Sequence, residues 1–134
     1  MTEKFVNVSG KRKSAVARAV AKKGTGLIRI NGTRLDAYEP ELARERIREP
    51  IILAGDLAKD INISINVFGG GWQGQTEAIR LVVAKGLVAF TGNKKLKRDY
   101  LDYDRQLLVA DVRRKETRKP NDSKARAKRQ KSYR

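Results

Sequence analysis

The sequence has 134 residues, enough for one small domain, and its 31 Lys and Arg against 15 Asp and Glu give a net charge of +16. This excess indicates a polyanionic partner but says nothing about the fold. The absence of cysteine and histidine excludes a disulfide framework, a thiolate or imidazole zinc site and a catalytic His base. No apolar run is long enough to cross a membrane and the first residues do not form a signal peptide, so we expect a soluble, intracellular protein.

The first third of the chain is typical of short strands. Residues 5–8 begin a strand, residues 9–13 are interpreted as a turn or bulge, and residues 14–21 form a second extended run. In that run four alanines alternate with larger residues, so one face would let a helix approach closely. Arg18 lies on the other face, where its charge must reach solvent or a partner.

A hairpin is predicted next. Residues 22–26 form a loop and residues 27–30 a third strand. Asn31-Gly32 is a strong two-residue turn signal, so residues 33–35 are expected to fold back antiparallel.

The helix that follows is expected to start at Glu39-Pro40-Glu41, with proline early and acids near the positive end of the dipole. Pro50 should end or kink it. Leu42 and Ile47 are its predicted anchors, and residues 51–54 are a separate apolar segment.

The core is predicted around residues 61–90. Residues 61–67 alternate isoleucine or valine with asparagine or serine, the period of a strand with one buried face. After a turn, apolar residues recur at three- and four-residue spacing from Ile79 to Phe90, as on one stripe of a helix. A short helix at residues 94–103 and a last strand at residues 107–110 complete the predicted domain.

The turn between this strand and helix is rich in glycine: Gly69, Gly70, Gly71 and Gly74. Its spacing follows the phosphate-binding template G-x-x-x-x-G-K-[ST], except that Gln75 replaces the lysine that reaches the terminal phosphates. In the structural alternative, the glycines supply positive φ angles and close strand–helix packing. The missing lysine favours this alternative.

From residue 113 onward the composition changes. Residues 113–134 hold eleven basic and two acidic side chains, with no Leu, Ile, Val, Phe, Met or Trp. We therefore expect a globular domain at residues 1–112 and an extended basic tail at residues 113–134 that is disordered alone in water. Such a tail suits a polyanion, because each neutralised phosphate releases condensed counterions. In this tail only Tyr133 offers an aromatic ring on which a base could stack. Contacts with the nucleic-acid backbone are therefore expected to dominate, which favours structured RNA as the partner.

The basic turn at residues 11–13 suggests a second attachment point on the same nucleic acid. The predicted RNA-binding residues are Lys11, Arg12, Lys13, Arg18, Arg113, Arg114, Lys115, Arg118, Lys119, Lys124, Arg126, Lys128, Arg129, Lys131 and Arg134.

Asp99, Asp102 and Asp104 could together hold a magnesium ion. They also balance the lysines and arginines of residues 94–105 as a surface charge mosaic, and this second interpretation is preferred. No metal, cofactor, catalytic residue or small-molecule substrate is predicted.

Three motifs resemble those of a known family, in order along nearly the whole chain. They are G-K-R-K-x-A-x-A-R at 10–18 with G-x-G-x-I-x-I-N-G at 24–32, V-x-G-G-G-x-x-G-Q-x-x-A-I-R at 67–80, and D-x-R and K-E at 111–116 with K-A-R at 124–126. They are similar to the signatures of the ninth protein of the small ribosomal subunit. The ending Q-K-S-Y-R and the missing proline at position 112 resemble the archaeal and eukaryotic branch.

The resemblance implies an α+β fold: a single small domain with a mixed sheet packed on helices and a left-handed βαβ crossover, as in the second domain of the small subunit's fifth protein. It implies a structural constituent of the cytoplasmic ribosome that binds the 3′ major domain of small-subunit ribosomal RNA in the head, beside neighbouring head proteins. The tail would reach the anticodon stem-loop of the P-site transfer RNA, which Lys131, Tyr133 and Arg134 would contact. Lys128, Arg129 and Lys131 would hold the stretch of tail that leads to Arg134.

The same fold also hosts small-molecule kinases, so a phosphotransferase is the alternative function. The lack of a lysine at position 75, of histidine and of a convincing metal-holding pair argues against it.

Overall fold

The computed structural model describes residues 4–118 and residue 120. Within them the chain forms five strands, β1 (Phe5–Arg12), β2 (Ala15–Lys23), β3 (Ile28–Ile30), β4 (Thr33–Arg34) and β5 (Ile61–Phe68). The helices are α1 (Glu41–Ala54), α2 (Trp72–Thr91) and α3 (Lys94–Tyr103), with 3₁₀ turns at Leu35–Ala37, Gly55–Asp60 and Arg105–Leu107. The predicted α+β class is confirmed.

The strands form one mixed sheet in the order β1-β2-β5-β3-β4. All neighbours pair antiparallel except β3 and β5, which are parallel and are connected through α1. The buried side chains of the strands lie on one face of this sheet, against the helices. None of the helices in the described residues has both the length and the apolar composition of a membrane span.

The first hairpin differs from the prediction. β1 does not end before residues 9–13 but continues to Arg12, and Lys13 and Ser14 alone form the turn, with Lys13 at φ 54°. Gly10 is buried within β1, and a Cβ there would lie 2.8 Å from Leu81 of α2. Glycine at this position is therefore a site of close helix–strand packing and not a turn signal.

The predicted alanine face of β2 is confirmed. Its four alanines, Ala15, Ala17, Ala19 and Ala21, are at most 2% exposed and belong to the core. Because these side chains are short, α2 can lie close to the sheet. The buried stripe of α2 includes Ile79, Val82, Val83 and Leu87 as predicted, with Phe90 only half-buried at its end.

The Asn31-Gly32 hairpin is also confirmed. Both residues have positive φ, 51° and 83°, and Ile30 pairs with Thr33. The Asn31 side chain exchanges hydrogen bonds with the backbone of Val67 in β5, at 2.9 and 3.1 Å. This fixes the hairpin against the central strand.

Of the two predicted effects of Pro50 on α1, an end or a kink, the end is wrong. The helix continues through Pro50 to Ala54, so residues 51–54 are helical. Ile47 is fully buried as predicted, but Leu42 is 56% exposed and is no anchor. Pro50 is itself buried, and its carbonyl accepts a 2.6 Å hydrogen bond from the Tyr100 hydroxyl of α3. The Tyr100 hydroxyl is a neutral donor, and burial raises its pKa further above neutral pH.

Residues 94–103 form α3 as predicted, with the Asn93 side chain capping its first turn. The strand predicted at residues 107–110 is wrong. A 3₁₀ turn begins two residues after α3, and Asp104 caps it by accepting from the Gln106 N–H at 3.0 Å. Leu107 is buried from this turn, so its apolar character serves packing against the helices and not a sheet.

Candidate nucleic-acid interface

The glycine turn lies directly against the β1–β2 turn. Gly69 and Gly70 have φ angles of 78° and 65°, the positive values that the glycine pattern predicts. A Cβ on Gly69 would overlap the carbonyl oxygen of Ser14, and one on Gly70 would lie 3.1 Å from the Ala15 nitrogen. Gly71 differs from both, because a Cβ there would meet no atom within 4 Å and its φ is negative, at −92°.

The two polar residues at the end of the phosphate-loop template, Gln75 and Thr76, form hydrogen bonds within the protein. The Gln75 amide donates to the Gly69 carbonyl at 3.1 Å, across the turn. The Thr76 hydroxyl is buried and donates to the Trp72 carbonyl at 2.6 Å, within the first turn of α2. Both contacts support the structural interpretation of this turn.

The β1–β2 turn and the segment after Asp111 enclose a cleft of about 580 Å³, which we call the basic cleft. It is lined by Arg12, Lys13, Ser14, Arg113, Arg114 and Lys115. Residues about one hundred positions apart in the sequence are thus brought together, and five of the six were predicted to bind RNA. None of the described residues that line this cleft is acidic.

Arg12 does not present a free guanidinium in this cleft. Its Nε donates to Glu77 and its Nη1 to Asp111, and its side chain is only 14% exposed. Asp111 also accepts from the Arg113 side chain, at 2.6 to 3.1 Å, and from its backbone N–H at 2.9 Å. Arg12 therefore holds the beginning of the C-terminal segment against β1 and α2, a positioning role that the sequence did not indicate.

The hydrogen bonds from Arg113, with a smaller contribution from the charge of Arg12, hold the pKa of Asp111 well below its usual range. Asp111 is therefore ionised at neutral and mildly acidic pH. The charged Asp111 carboxylate therefore holds Arg12 and Arg113 in place.

A second polar pocket, of about 450 Å³, lies beside the basic cleft and differs from it in charge. Arg80 of α2 donates to Asp104 at 3.0 Å and to Glu49 at 2.5 Å. Burial alone lowers the pKa of Arg80, but these two carboxylates more than offset that effect and raise it. Because cations and acids balance here, this pocket is a structural network and offers little to a polyanion.

The acidic group of residues 99–104 does not converge. Asp104 is engaged with Arg80 and with the Gln106 N–H. In residues 4–118 no group of three or more carboxylates is placed to hold a metal ion.

The other predicted RNA-binding residues fall into two sets. Lys11, Arg18 and Arg118 are exposed, and Lys11 and Arg18 lie on the face of the sheet opposite the helices. Lys119, Lys124, Arg126, Lys128, Arg129, Lys131, Tyr133 and Arg134 lie outside the described residues.

Sequence reasoning missed three cations, Lys22, Arg29 and Arg34, which share that face with Arg18. The two-residue period of β2 was enough to place Lys22 on the same side as Arg18. Arg29 and Arg34 could be placed there only from the pairing of β3 with β5 and β4.

Comparison with known proteins gives one consistent result. The family model for ribosomal protein S9/S16 matches residues 10–134. The chain is 50% identical over 133 residues to small ribosomal subunit protein uS9 of Pyrobaculum aerophilum, covering 99% of this chain and 94% of the relative. It is 50% identical over 133 residues to uS9 of Methanococcus maripaludis, covering 98% and 99%. It is 48% identical over 131 residues to uS9 of Methanothrix thermoacetophila, also covering 98% and 99%.

These relatives are archaeal, which agrees with the predicted branch. They also confirm the prediction of a ribosomal protein rather than an enzyme. Because the family model covers all but the first nine residues, the chain belongs to the ribosomal protein S9/S16 family.

Proposed function

We propose that this protein is a structural constituent of the small ribosomal subunit and that it binds small-subunit ribosomal RNA through the basic cleft and the tail that continues from it. The observation that carries the proposal is the basic cleft, where five cationic residues from two distant segments converge. Lys13, Arg114 and Lys115 are exposed there. The printed names of the relatives, proteins of the small ribosomal subunit, support the same assignment.

The proposed mechanism is electrostatic. When RNA phosphates enter the basic cleft, its cations displace the counterions condensed on the RNA, and arginine offers each phosphate two donors. The Arg12–Asp111–Arg113 contacts set the position at which the tail leaves the domain. Residues 1–112 then act as the globular domain and residues 113–134 as the RNA-binding tail, so the cost of ordering the tail is met by its RNA contacts.

The family resemblance supports a more detailed proposal. The domain would bind the 3′ major domain of the ribosomal RNA in the head of the cytoplasmic ribosome, beside other head proteins. The β3–α1–β5 connection would be the family's left-handed crossover. The end of the tail, Lys131, Tyr133 and Arg134, would contact the anticodon stem-loop of P-site transfer RNA; these three residues lie outside the described residues.

Deletion of residues 113–134 tests the role of the tail. The domain should keep its fold, while the slope of log affinity against log salt should fall by up to about 6 to 8. This assumes roughly 0.7 to 0.9 for each phosphate neutralised by the net charge of the tail, eleven basic less two acidic side chains. Filter binding to transcribed small-subunit ribosomal RNA at salt concentrations from about 50 to about 200 mM measures this slope. Replacing Lys94, Lys95 and Lys97 of α3 by glutamine is the control for loss of surface charge. An unchanged slope in the deletion variant would contradict the proposal.

Arg134→Ala tests the contact with transfer RNA. Subunits assembled with this variant should release P-site transfer RNA about 3- to 10-fold faster, because one hydrogen-bonded contact of roughly 1 kcal/mol is lost. Subunit assembly should be unaffected. The measurement is transfer RNA dissociation from purified subunits, with Arg105→Ala in the domain as the control. Equal dissociation rates for all three proteins would remove this role.

A further inference from the structure

The face of the sheet opposite the helices, which we call the open sheet face, carries cations on four of its five strands. Lys11 lies on β1, Arg18 and Lys22 on β2, Arg29 on β3 and Arg34 on β4. Strand register places them on one side: Arg18 pairs with Asn66, and Arg29 pairs with Ser64, which pairs with Val20. No helix of the described residues covers this face, and all five cations are exposed.

The charge of this face is not neutralised locally. Its remaining polar positions on the central strand β5 are neutral, including the exposed Ser64 and Asn66. The nearest ion pair joins Arg34 at the edge to Asp36, at 3.7 Å with both side chains largely exposed. An exposed pair of this kind contributes little and leaves most of the positive field in place.

An aromatic ring completes the surface. Phe68 ends β5 on the same face, opposite Val16, and is 55% exposed. An exposed phenylalanine on the same sheet face as arginine and lysine side chains is suited to stacking an unpaired base, while the cations contact the flanking phosphates. An acidic protein surface would use the cations but would have no particular need for the ring.

We propose that the open sheet face is a second RNA-binding surface, separate from the basic cleft, on which Arg18, Lys22 and Arg29 contact phosphates and Phe68 stacks on an unpaired base. This inference rests on the proposed function, since it assumes ribosomal RNA as the partner. The proposed interface then has a second side. RNA extends across the open sheet face, and helices α1, α2 and α3 lie on the other side of the sheet.

The experiment compares two variants with equal loss of charge. One carries R18Q, K22Q and R29Q on the open sheet face; the other carries K94Q, K95Q and K97Q on α3. The three replaced residues of the open sheet face are exposed, so the protein should fold, which circular dichroism verifies for both variants. Binding to transcribed small-subunit ribosomal RNA is measured against salt, with hydroxyl-radical footprinting of each complex.

The open-face variant should lower the log–log salt slope by about 2 to 3 and lose one group of protected nucleotides, while the α3 variant behaves like the unmodified protein. Phe68→Ala should weaken binding several-fold at an unchanged slope, whereas Tyr103→Ala, which removes a ring exposed to 56% on α3, should not.

Three outcomes would overturn the proposal. Equal salt slopes and footprints for both triple variants exclude the open sheet face as an RNA-binding surface. The proposed function would still stand in that case if deletion of the tail weakens RNA binding. If the open-face variant binds RNA normally but is incorporated less into subunits, the open sheet face contacts a neighbouring protein and not RNA. Failure of the unmodified protein to bind the RNA removes the proposed function and this inference together.

Discussion

At the scale of single residues, the glycine turn shows why neighbouring glycines are not equivalent. Gly69 needs both its positive φ and its missing side chain, because the Ser14 carbonyl occupies the space a Cβ would take. Gly71 needs neither, since its φ is negative and the space around it is open. The sequence pattern presents the two as alike, and only the approach of the β1–β2 turn separates them.

Gly69→Ala is therefore expected to destabilise the domain by at least about 2 kcal/mol, from left-handed backbone strain and the clash with Ser14. Gly71→Ala should cost less than about 1 kcal/mol, the difference between glycine and alanine at a helix N-cap. Urea unfolding followed by circular dichroism measures both. Equal stabilities for the two variants would mean that the turn relaxes without cost.

Arg12 is a second case at this scale. In the sequence it stands between two lysines and is interpreted as one more RNA-binding cation. In the structure it is turned toward Glu77 and Asp111 because it occupies an inward-facing position of β1, opposite Ala15. Lys11 and Lys13, one residue away on either side, remain exposed.

At the scale of elements, Asp111 links the C-terminal segment to β1. Its folded pKa is lowered below the ordinary value of about 3.9, so its stabilising contribution is complete above that value and is lost as the pH falls toward the lowered pKa. Asp111→Asn should therefore unfold at lower urea concentration than the unmodified protein, by a constant amount between about pH 5 and 8.

The difference in urea midpoint between Asp111→Asn and the unmodified protein should shrink below about pH 3.9. In that range Asp111 of the unmodified protein becomes protonated in the unfolded chain, so its charge stabilises the folded state less. Urea midpoints measured at several pH values test this, with Asp102→Asn on the exposed side of α3 as the control. A difference between Asp111→Asn and the unmodified protein that stayed constant into acid would show that hydrogen-bond geometry, and not the charge of Asp111, matters.

The course of α1 also belongs to this scale. A proline within a helix cannot donate its backbone hydrogen bond and usually marks an end. The group that loses its helical donor is the carbonyl of Arg46, four residues earlier, and not the carbonyl of Pro50. Here Pro50 is buried, and its carbonyl accepts from the Tyr100 hydroxyl, which fixes this turn of α1 to α3. Since the two residues are fifty positions apart, local propensity could not predict the continuation.

At the scale of the whole molecule, the charge is distributed according to the layers of the fold. The pocket beside the basic cleft, bordered by α1 and α2, balances arginine with carboxylate. The open sheet face carries an excess of cations. In the basic cleft Asp111 engages Arg12 and Arg113, while Lys13, Arg114 and Lys115 are exposed. Within the described residues, positive charge is thus presented to partners on these two surfaces, and we propose that both bind RNA.

The sequence by itself determined the Asn31-Gly32 hairpin, the alanine-faced β2 and the α2 core stripe, because each of these depends on residue spacing within one segment. It also indicated the family and the α+β class, through three motifs spread over nearly the whole chain. Only the tertiary structure decided which cations are available and which are neutralised. That outcome depends on which distant carboxylates the strand register and the helix packing bring within reach, as with Arg12, Glu77 and Asp111. Local patterns carry no information about those pairings.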